Sequence, residues 1–284
     1  MLIKDITVVV TSFRSSEKIK SCLNAIDRQC RILLVENSDD FEFKKKMEKE
    51  FANVECIITG ANLGYGKGNN IGLKKVTTKY ALILNPDATL HPSTLVNFLK
   101  TVEEIPEFAI MGPYLQGKKN NDEKNDLKES APIATVNVKG FAMFLNLSEF
   151  KDIGFFDEDF FIYFEEIDLC KRLIDNGKKI YLVPNIEIDH EGSKSHEKAL
   201  SEEIELTRNW HWMWSTFNYH RKHKGFFVSF LIVFPKLISA IFKVLFYTFF
   251  VNKRKKAIYY QRYSGLINAI LGKALGIALM CNKN

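Results

Sequence analysis

Four short motifs carry most of the residues that could do chemistry: Val35-Glu-Asn-Ser38, Asn62-Leu-Gly64-Tyr-Gly-Lys-Gly68-Asn-Asn70-Ile-Gly72, Asn85-Pro-Asp87 and Tyr163-Phe-Glu165-Glu166-Ile-Asp168. Glycines let backbone approach a ligand closely, and a helix starting nearby offers N–H groups to phosphate. Asp87 supplies the hard oxygen a divalent cation needs, and one or two such ligands suffice where diphosphate oxygens complete the shell. His190 could join it to complete a Mg2+ or Mn2+ site. Glu165 and Glu166 lie close in sequence to Phe155, Phe156, Phe160 and Phe161, where lost solvation makes a carboxylate a stronger base. Plainer uses stay open: Glu36 as a cap, the glycines as a flexible turn, Asp87 as a turn former, and Asp168 paired with Arg172 at i,i+4.

Two common nucleotide motifs are absent. The dinucleotide fingerprint needs G-x-G-x-x-G after the first strand, but the loop here follows the third strand and Asn69 stands in the third glycine's place. A P-loop needs Lys and Ser or Thr where Asn69 and Asn70 follow Gly68. A sugar nucleotidyltransferase would need a glycine-rich loop after the first strand, and Thr11-Ser-Phe-Arg-Ser-Ser16 has no glycine.

These motifs need elements to hold them. Apolar runs at Ile6 to Val10, Ile32 to Val35, Val54 to Ile58 and Tyr80 to Leu84 predict buried parallel strands, and the first three motifs each follow a strand end. Helices are predicted over Ser16 to Ala25, capped by Ser15 or Ser16, and over Phe41 to Phe51 and Asn69 to Val76. A further helix follows Glu165 and ends at Gly177. The pattern is a doubly wound α/β sheet, whose ligands bind outside the carboxyl ends of the strands.

Charge divides the chain. Residues 206–284 hold 13 of the 40 Lys+Arg and none of the 34 Asp+Glu. The tail is also apolar from Gly225 to Val251 and is preceded by Trp210, Trp212, Trp214, Phe217 and Tyr219, as at a membrane interface. Nucleic-acid tails are rarely so apolar, so an anionic membrane surface is expected and nucleic acid is not. Pro235, Lys236 and Lys243 predict two shorter helices lying in the interface, kinked at Pro235, in place of an ordinary span; a buried helical hairpin, an oligomer interface and a tilted single span stay open as alternatives. Five cysteines (Cys22, Cys30, Cys56, Cys170, Cys281) without metal-ligand spacing, and a first segment read as a strand with no signal peptide, predict the cytoplasmic face of the cell membrane.

Over residues 5 to 225 the chain resembles the family 2 glycosyltransferases of the GT-A fold, most of all their bacterial rhamnosyltransferase-like branch. The likeness rests on Glu36-Asn37-Ser38, Asn62 to Gly72, Asn85-Pro-Asp87, Gly140 to Asn146, Phe156 to Arg172, His190-Glu-Gly-Ser193 and Tyr219 to Gly225. It implies a Rossmann-like mixed sheet over 1–205, with a nucleotide-sugar half (1–90) and a metal and acceptor half (91–205); the charge and apolar pattern above assigns 206–284 to a helical membrane-associating segment. By the same resemblance Thr11, Ser12, Phe13 and Glu36 hold the nucleoside, and Asn62, Gly64, Gly68, Asn70 and Asn85 line the donor. Asp87 and His190 hold Mg2+ or Mn2+, and Glu166, or else Glu165, is the base. The implied reaction moves a sugar with inversion from a nucleotide-diphospho-sugar to a polyprenyl-diphosphate-linked or glycan acceptor.

Four positions depart from the family pattern. Glu36 stands for Asp, Glu166 for the second acid of Glu-Asp, Asn146 for Arg, and Phe141 for a small residue. A non-catalytic membrane-bound scaffold of a polysaccharide assembly complex and a sugar nucleotidyltransferase are the alternative readings.

Overall fold

The computed structural model describes residues 2–15, 18–114, 131–190 and 201–273; Ser16, Glu191 to Ser193 and Cys281 lie outside them. The chain forms two compact units. The first comprises Met1–Ala61, Lys67–Asp157 and Glu166–His196, the second Asn62–Gly66, Glu158–Glu165 and Glu197–Asn284.

The first unit is built on a mixed sheet of eight strands in the order β3-β2-β1-β4-β8-β6-β9-β7. β1 (Ile6–Ser12) runs parallel to β2 (Arg31–Glu36) on one side and to β4 (Tyr80–Leu84) on the other, with β3 (Val54–Ile58) beyond β2. All five residues of β4 are buried, as expected of a strand covered on both faces. The far half is β6 (Ile110–Pro113), β7 (Ile133–Ala134), β8 (Ala142–Asn146) and β9 (Ile180–Val183). There β8 runs antiparallel to β4 and β6, while β6 and β9 are parallel.

Helices α1 (Ile19–Asn24), α2 (Phe41–Glu50), α3 (Tyr65–Leu73) and α4 (Thr94–Glu104) connect these strands. Under α4 the Phe98 ring stacks on Phe144 at 4.6 Å, and Tyr80 and Phe108 stack on the same ring at 5.3 and 5.8 Å. The expected serine cap of α1 is not formed by Ser15, whose hydroxyl bonds the Phe13 carbonyl; the helix starts beyond it, at Ile19. A second ribbon pairs β5 (Ala88–Leu90) with β10 (Ile188–His190) antiparallel, setting His190 opposite Ala88. The apolar stretch 180–188 is therefore split between two sheets.

The second unit is dominated by α6 (Ser201–Phe249) and α7 (Lys253–Ile270). The interruption expected at Pro235 falls elsewhere. α6 continues through the exposed Pro235 and breaks at Gly225, whose φ of 78° and ψ of 170° suit glycine alone. Trp210, Trp214 and Phe217 from before the break then pack with Val233 and Leu237 from after it, and with Leu266 and Ala269 of α7.

This corrects the reading of the aromatic run as an interfacial belt. Positions 210, 214 and 217 share one helical face, and that face is the core of the helical cluster. The Trp210 and Trp214 N–H groups donate to Ser264 Oγ and the Lys273 carbonyl, each at 3.3 Å. A β-carbon on Gly265 would strike the Trp210 backbone, so α6 and α7 lie in close contact there.

The apolar surface lies downstream: Phe227 is 83% exposed, Leu231 70%, Phe242 69% and Phe249 86%. By length and composition α6 is apolar enough to cross a membrane. The first turn of α7 is Lys253-Arg-Lys-Lys256 without an acid, at the positive end of the helix dipole where cations are disfavoured.

Candidate active site

Glu36 closes β2 beside the end of β1. It is 1% exposed, accepts hydrogen bonds from the Ser12 hydroxyl, the Ser38 hydroxyl at 2.6 Å and the Arg14 N–H at 3.3 Å. Burial pushes its pKa up, and these three donors pull it partly back. Thr11 donates to Asn69 at 3.0 Å, and a β-carbon on Gly68 would meet the Thr11 methyl at 2.7 Å. The Arg14 guanidinium lies over the Phe13 ring at 5.7 Å. Thr11, Ser12, Phe13, Glu36 and Gly68 therefore cluster at the ends of β1 and β2.

The glycine motif is divided. Helix α3 starts at Tyr65, four residues before the expected Asn69, so Gly68 and Asn70 are helical. Asn70, expected along the donor, uses its amide as a two-point bracket: Nδ2 donates to the Phe156 carbonyl at 2.9 Å and Oδ1 accepts the Phe156 N–H at 3.0 Å. Asn62 and Gly64 belong to the second unit. There Asn62 Oδ1 accepts the Gly64 N–H at 3.1 Å, Gly64 has φ 85°, and Tyr65 N–H donates to the Phe161 carbonyl at 2.8 Å.

At the carboxyl end of β4, Asn85 and Asp87 each hold a buried side-chain oxygen, Oδ1 in both, without a hydrogen-bond partner. His190 Nε2 lies 3.4 Å from Asp87 Oδ1, beyond good hydrogen-bond geometry. Phe141 stacks on the His190 ring at 4.3 Å with planes 9° apart, so the bulky residue at this position holds the imidazole. Among the described residues no group of three or more His, Cys, Asp or Glu could hold a metal alone. An orphaned carboxylate oxygen beside an imidazole nevertheless fits a hard divalent ion whose remaining ligands come from a diphosphate.

The acidic motif opens α5 (Glu165–Asp175), which Gly177 ends with φ 72°. Just before it, Tyr163 and Phe164 adopt φ of 71° and 72°, a left-handed pair that costs on the order of 1–3 kcal/mol per residue. Helix α6 holds that turn in place. Ser215 Oγ donates to the Ile162 carbonyl at 3.0 Å, and His211 stacks on Phe161 at 4.5 Å. Trp212 meets Tyr163 edge-on at 5.1 Å, and Tyr219 packs on Phe164 at 5.2 Å.

Glu165 is buried and Glu166 half-buried. Desolvation raises the Glu166 pKa, offset in part by N–H groups at the helix start and by Lys139. Asp168 is used in structure: it pairs with Arg172 at 2.8 Å, and Arg172 also ties down the Ile153 and Phe155 carbonyls. Trp212, Ser215 and Tyr219 were missed as site residues, although aromatics crowd both 160–164 and 210–219. The four described cysteines are buried thiols with pKa values pushed to about 12 by burial.

The chain is 25% identical over 193 residues to a low-salt glycan biosynthesis hexosyltransferase of Haloferax volcanii, spanning 60% of this chain and only 62% of that relative. It is 26% identical over 247 residues to a rhamnosyltransferase of Escherichia coli, covering 75% of this chain and 91% of the relative. An N-acetylglucosaminyl-diphospho-decaprenol L-rhamnosyltransferase of Mycobacterium tuberculosis is 21% identical over 213 residues, 60% of this chain and 69% of the relative. In fold it resembles a mannosyltransferase of Pyrobaculum calidifontis solved with GDP-Man and Mn2+, with TM-score 0.57 and 13% identity over 95% of this chain and 88% of that one. Residues 7–170, more than half of the sequence, match the family described as Glycosyl transferase family 2, and the chain belongs to that family.

Proposed function

We propose that this chain is an inverting glycosyltransferase. It moves a sugar from a nucleotide-diphospho-sugar, dTDP-L-rhamnose or a UDP-sugar, to a hydroxyl of a polyprenyl-diphosphate-linked or glycan acceptor in cell-surface polysaccharide synthesis. The observation that carries the reading is the unpartnered Asp87 oxygen beside His190 at the end of β4, in a chain of this family.

Thr11, Ser12, Phe13 and Glu36 bind the nucleoside, with Glu36 orienting the two serine hydroxyls. Asn62, Gly64, Gly68, Asn70 and Asn85 shape the donor region. Asp87 and His190 hold Mg2+ or Mn2+, which when bound supplies positive charge to the departing diphosphate. Glu166, a stronger base through burial, takes the proton of the acceptor hydroxyl; Glu165 is the alternative. The acceptor oxygen bonds to the anomeric carbon as the carbon–oxygen bond to the diphosphate breaks, its electron pair leaving with the diphosphate. Attack from the opposite face inverts the centre.

Residues 1–205 carry this chemistry, and 206–284 hold the protein on the cytoplasmic face of the cell membrane as a peripheral or monotopic protein. The exposed apolar face after Gly225 and the basic start of α7 support that placement. The test is transfer by the full chain from a panel of UDP-, dTDP- and GDP-sugars to a prenyl-diphosphate-linked sugar, with Mn2+ or with chelator. Transfer with one donor class, lost with chelator, is expected; diphosphate release from a nucleoside triphosphate, without transfer, would replace the reading with a nucleotidyltransferase.

A further inference from the structure

Of the three tryptophans, Trp210 and Trp214 are 1% and 6% exposed and serve the helical core, while Trp212 is 44% exposed. Position 212 lies about 200° around α6 from position 210, so its ring leaves the bundle. It meets Tyr163 at 5.1 Å with planes 80° apart, and Phe164 at 5.6 Å. Two rings at nearly a right angle make a corner, and the exposure of Trp212 leaves it open to solvent. Two turns further along the same face of α6, Tyr219 packs on Phe164 at 5.2 Å and on the His223 ring at 4.8 Å. Tyr163, Phe164, Tyr219 and His223 are half-buried, and all five residues belong to the second compact unit.

A contiguous aromatic patch that reaches solvent marks an interaction site, and two observations say what it suits. Phe164 directly precedes Glu165, in the turn that leads to both candidate bases. A base takes its proton from the acceptor hydroxyl, so the acceptor belongs beside this turn. The patch is also mixed in chemistry, with an indole, two phenols and an imidazole. A pyranose matches it: one side of the ring is C–H, which settles on the negative face of an aromatic ring, and its rim is hydroxyl, which pairs with phenol and imidazole. An acyl chain is better served by Phe227, Leu231 and Phe242, which are exposed and offer no polar side-chain atom.

We propose that Trp212, with Tyr163 and Tyr219, forms a stacking subsite for the terminal pyranose of the acceptor, the ring that carries the attacking hydroxyl. The subsite rests on the transferase activity proposed above and gives its acceptor a place on the chain.

The experiment follows, by saturation-transfer NMR of the full chain with UDP and Mn2+ present, the binding of four probes. Three are the methyl glycosides of N-acetylglucosamine, galactose and rhamnose; the fourth is open-chain glucitol, which has hydroxyls but no ring face. At least one glycoside is expected to bind, with its ring C–H signals the most strongly saturated, and glucitol is not. Trp212→Ala is expected to weaken that glycoside about tenfold or more, while Trp212→Phe, which keeps an aromatic face, stays within about threefold of the parent. UDP affinity and sedimentation with phosphatidylglycerol vesicles stay unchanged in both variants, and circular dichroism checks their fold.

Glycoside affinity unchanged in Trp212→Ala overturns the subsite and leaves the ring as a support of the turn alone. So does a parent that binds no glycoside, or a variant that loses vesicles and not sugar, which would make Trp212 a membrane contact. Should the parent bind glycosides through Trp212 yet transfer from no nucleotide-sugar, the proposed activity falls and the sugar site stands. Transfer by the parent with acceptor KM unmoved in Trp212→Ala keeps the activity and removes the subsite.

Discussion

His190 Nε2 stands 3.4 Å from Asp87 Oδ1 because β10 runs antiparallel to β5 and sets His190 opposite Ala88, next in sequence to the aspartate. Phe141 stacks on the imidazole from the loop before β8, so a ring from one segment and a carboxylate from another are held at a spacing that leaves the oxygen open. For Asp87→Asn, metal-dependent binding of UDP or dTDP is expected to weaken about 10- to 100-fold. Melting of the ligand-free protein should fall little, since that oxygen accepts no hydrogen bond. Calorimetry with Mn2+ and with chelator reads the first effect, and equal affinities for parent and variant would move the metal elsewhere.

In the proposed role of base, Glu166 would link activity to pH. Its folded pKa lies above the ordinary 4.5 because burial disfavours the charge. The folded chain therefore binds this proton more tightly than the unfolded one. The stabilisation is whole below pH 4.5 and is lost as pH rises through the folded value. Glu166→Gln is accordingly expected to melt higher than the parent at pH 8 but not at pH 4, while turnover drops about 10²- to 10⁴-fold. Undiminished turnover would remove the residue from the base role.

Trp212 is 44% exposed, yet it packs on both Tyr163 and Phe164 in the left-handed turn before Glu165. For Trp212→Ala, kcat should fall more than donor KM rises, with a stability loss of only about 1–2 kcal/mol. Trp212→Phe should recover most of kcat. A loss confined to KM, or to stability, would contradict a positioning role.

Gly64 and Gly60 offer a matched pair. Both have positive φ, but a β-carbon at Gly64 would strike the Phe161 carbonyl, while nothing lies within 4 Å at Gly60. Gly64→Ala is expected to cost about 1–3 kcal/mol more than Gly60→Ala in chemical denaturation. Equal costs would mean that the loop yields freely.

On the exposed face of α6, Phe227, Phe242 and Phe249 contribute nothing visible to the helical core. The triple Phe→Ser variant should therefore keep its melting temperature but sediment far less with phosphatidylglycerol vesicles. Undiminished sedimentation would place membrane attachment on other residues.

The parallel half of the sheet was readable in sequence because β1 to β4 are dominated by short apolar runs, broken inside only at Thr7 and Glu55. The antiparallel half was not: β7 has two residues and β6 four, too short for periodicity to mark. The break in α6 was placed at Pro235 because proline lacks an N–H, yet an exposed proline can leave its freed carbonyl to solvent, whereas the backbone angles of Gly225 end a helix outright. The residue types of the candidate site were legible from Glu36, Asp87, Glu166 and His190. Their supports were not, since the strain at Tyr163 and Phe164 involves no glycine or asparagine, and the rings that hold it lie some fifty residues later.

The second compact unit is assembled from three stretches far apart in sequence, Asn62–Gly66, Glu158–Glu165 and the helices from residue 197 onward. Its helices carry the exposed apolar face, and its middle piece, Glu158–Glu165, ends on a catalytic candidate. No single crossover point separates the two. Chimeras that exchange the C-terminal helices among relatives are therefore expected to inherit a misfitted catalytic turn unless residues 62–66 and 158–165 travel with them. Inheritance would act on these three stretches as a block, so that a new lipid address and a new acceptor specificity would evolve together.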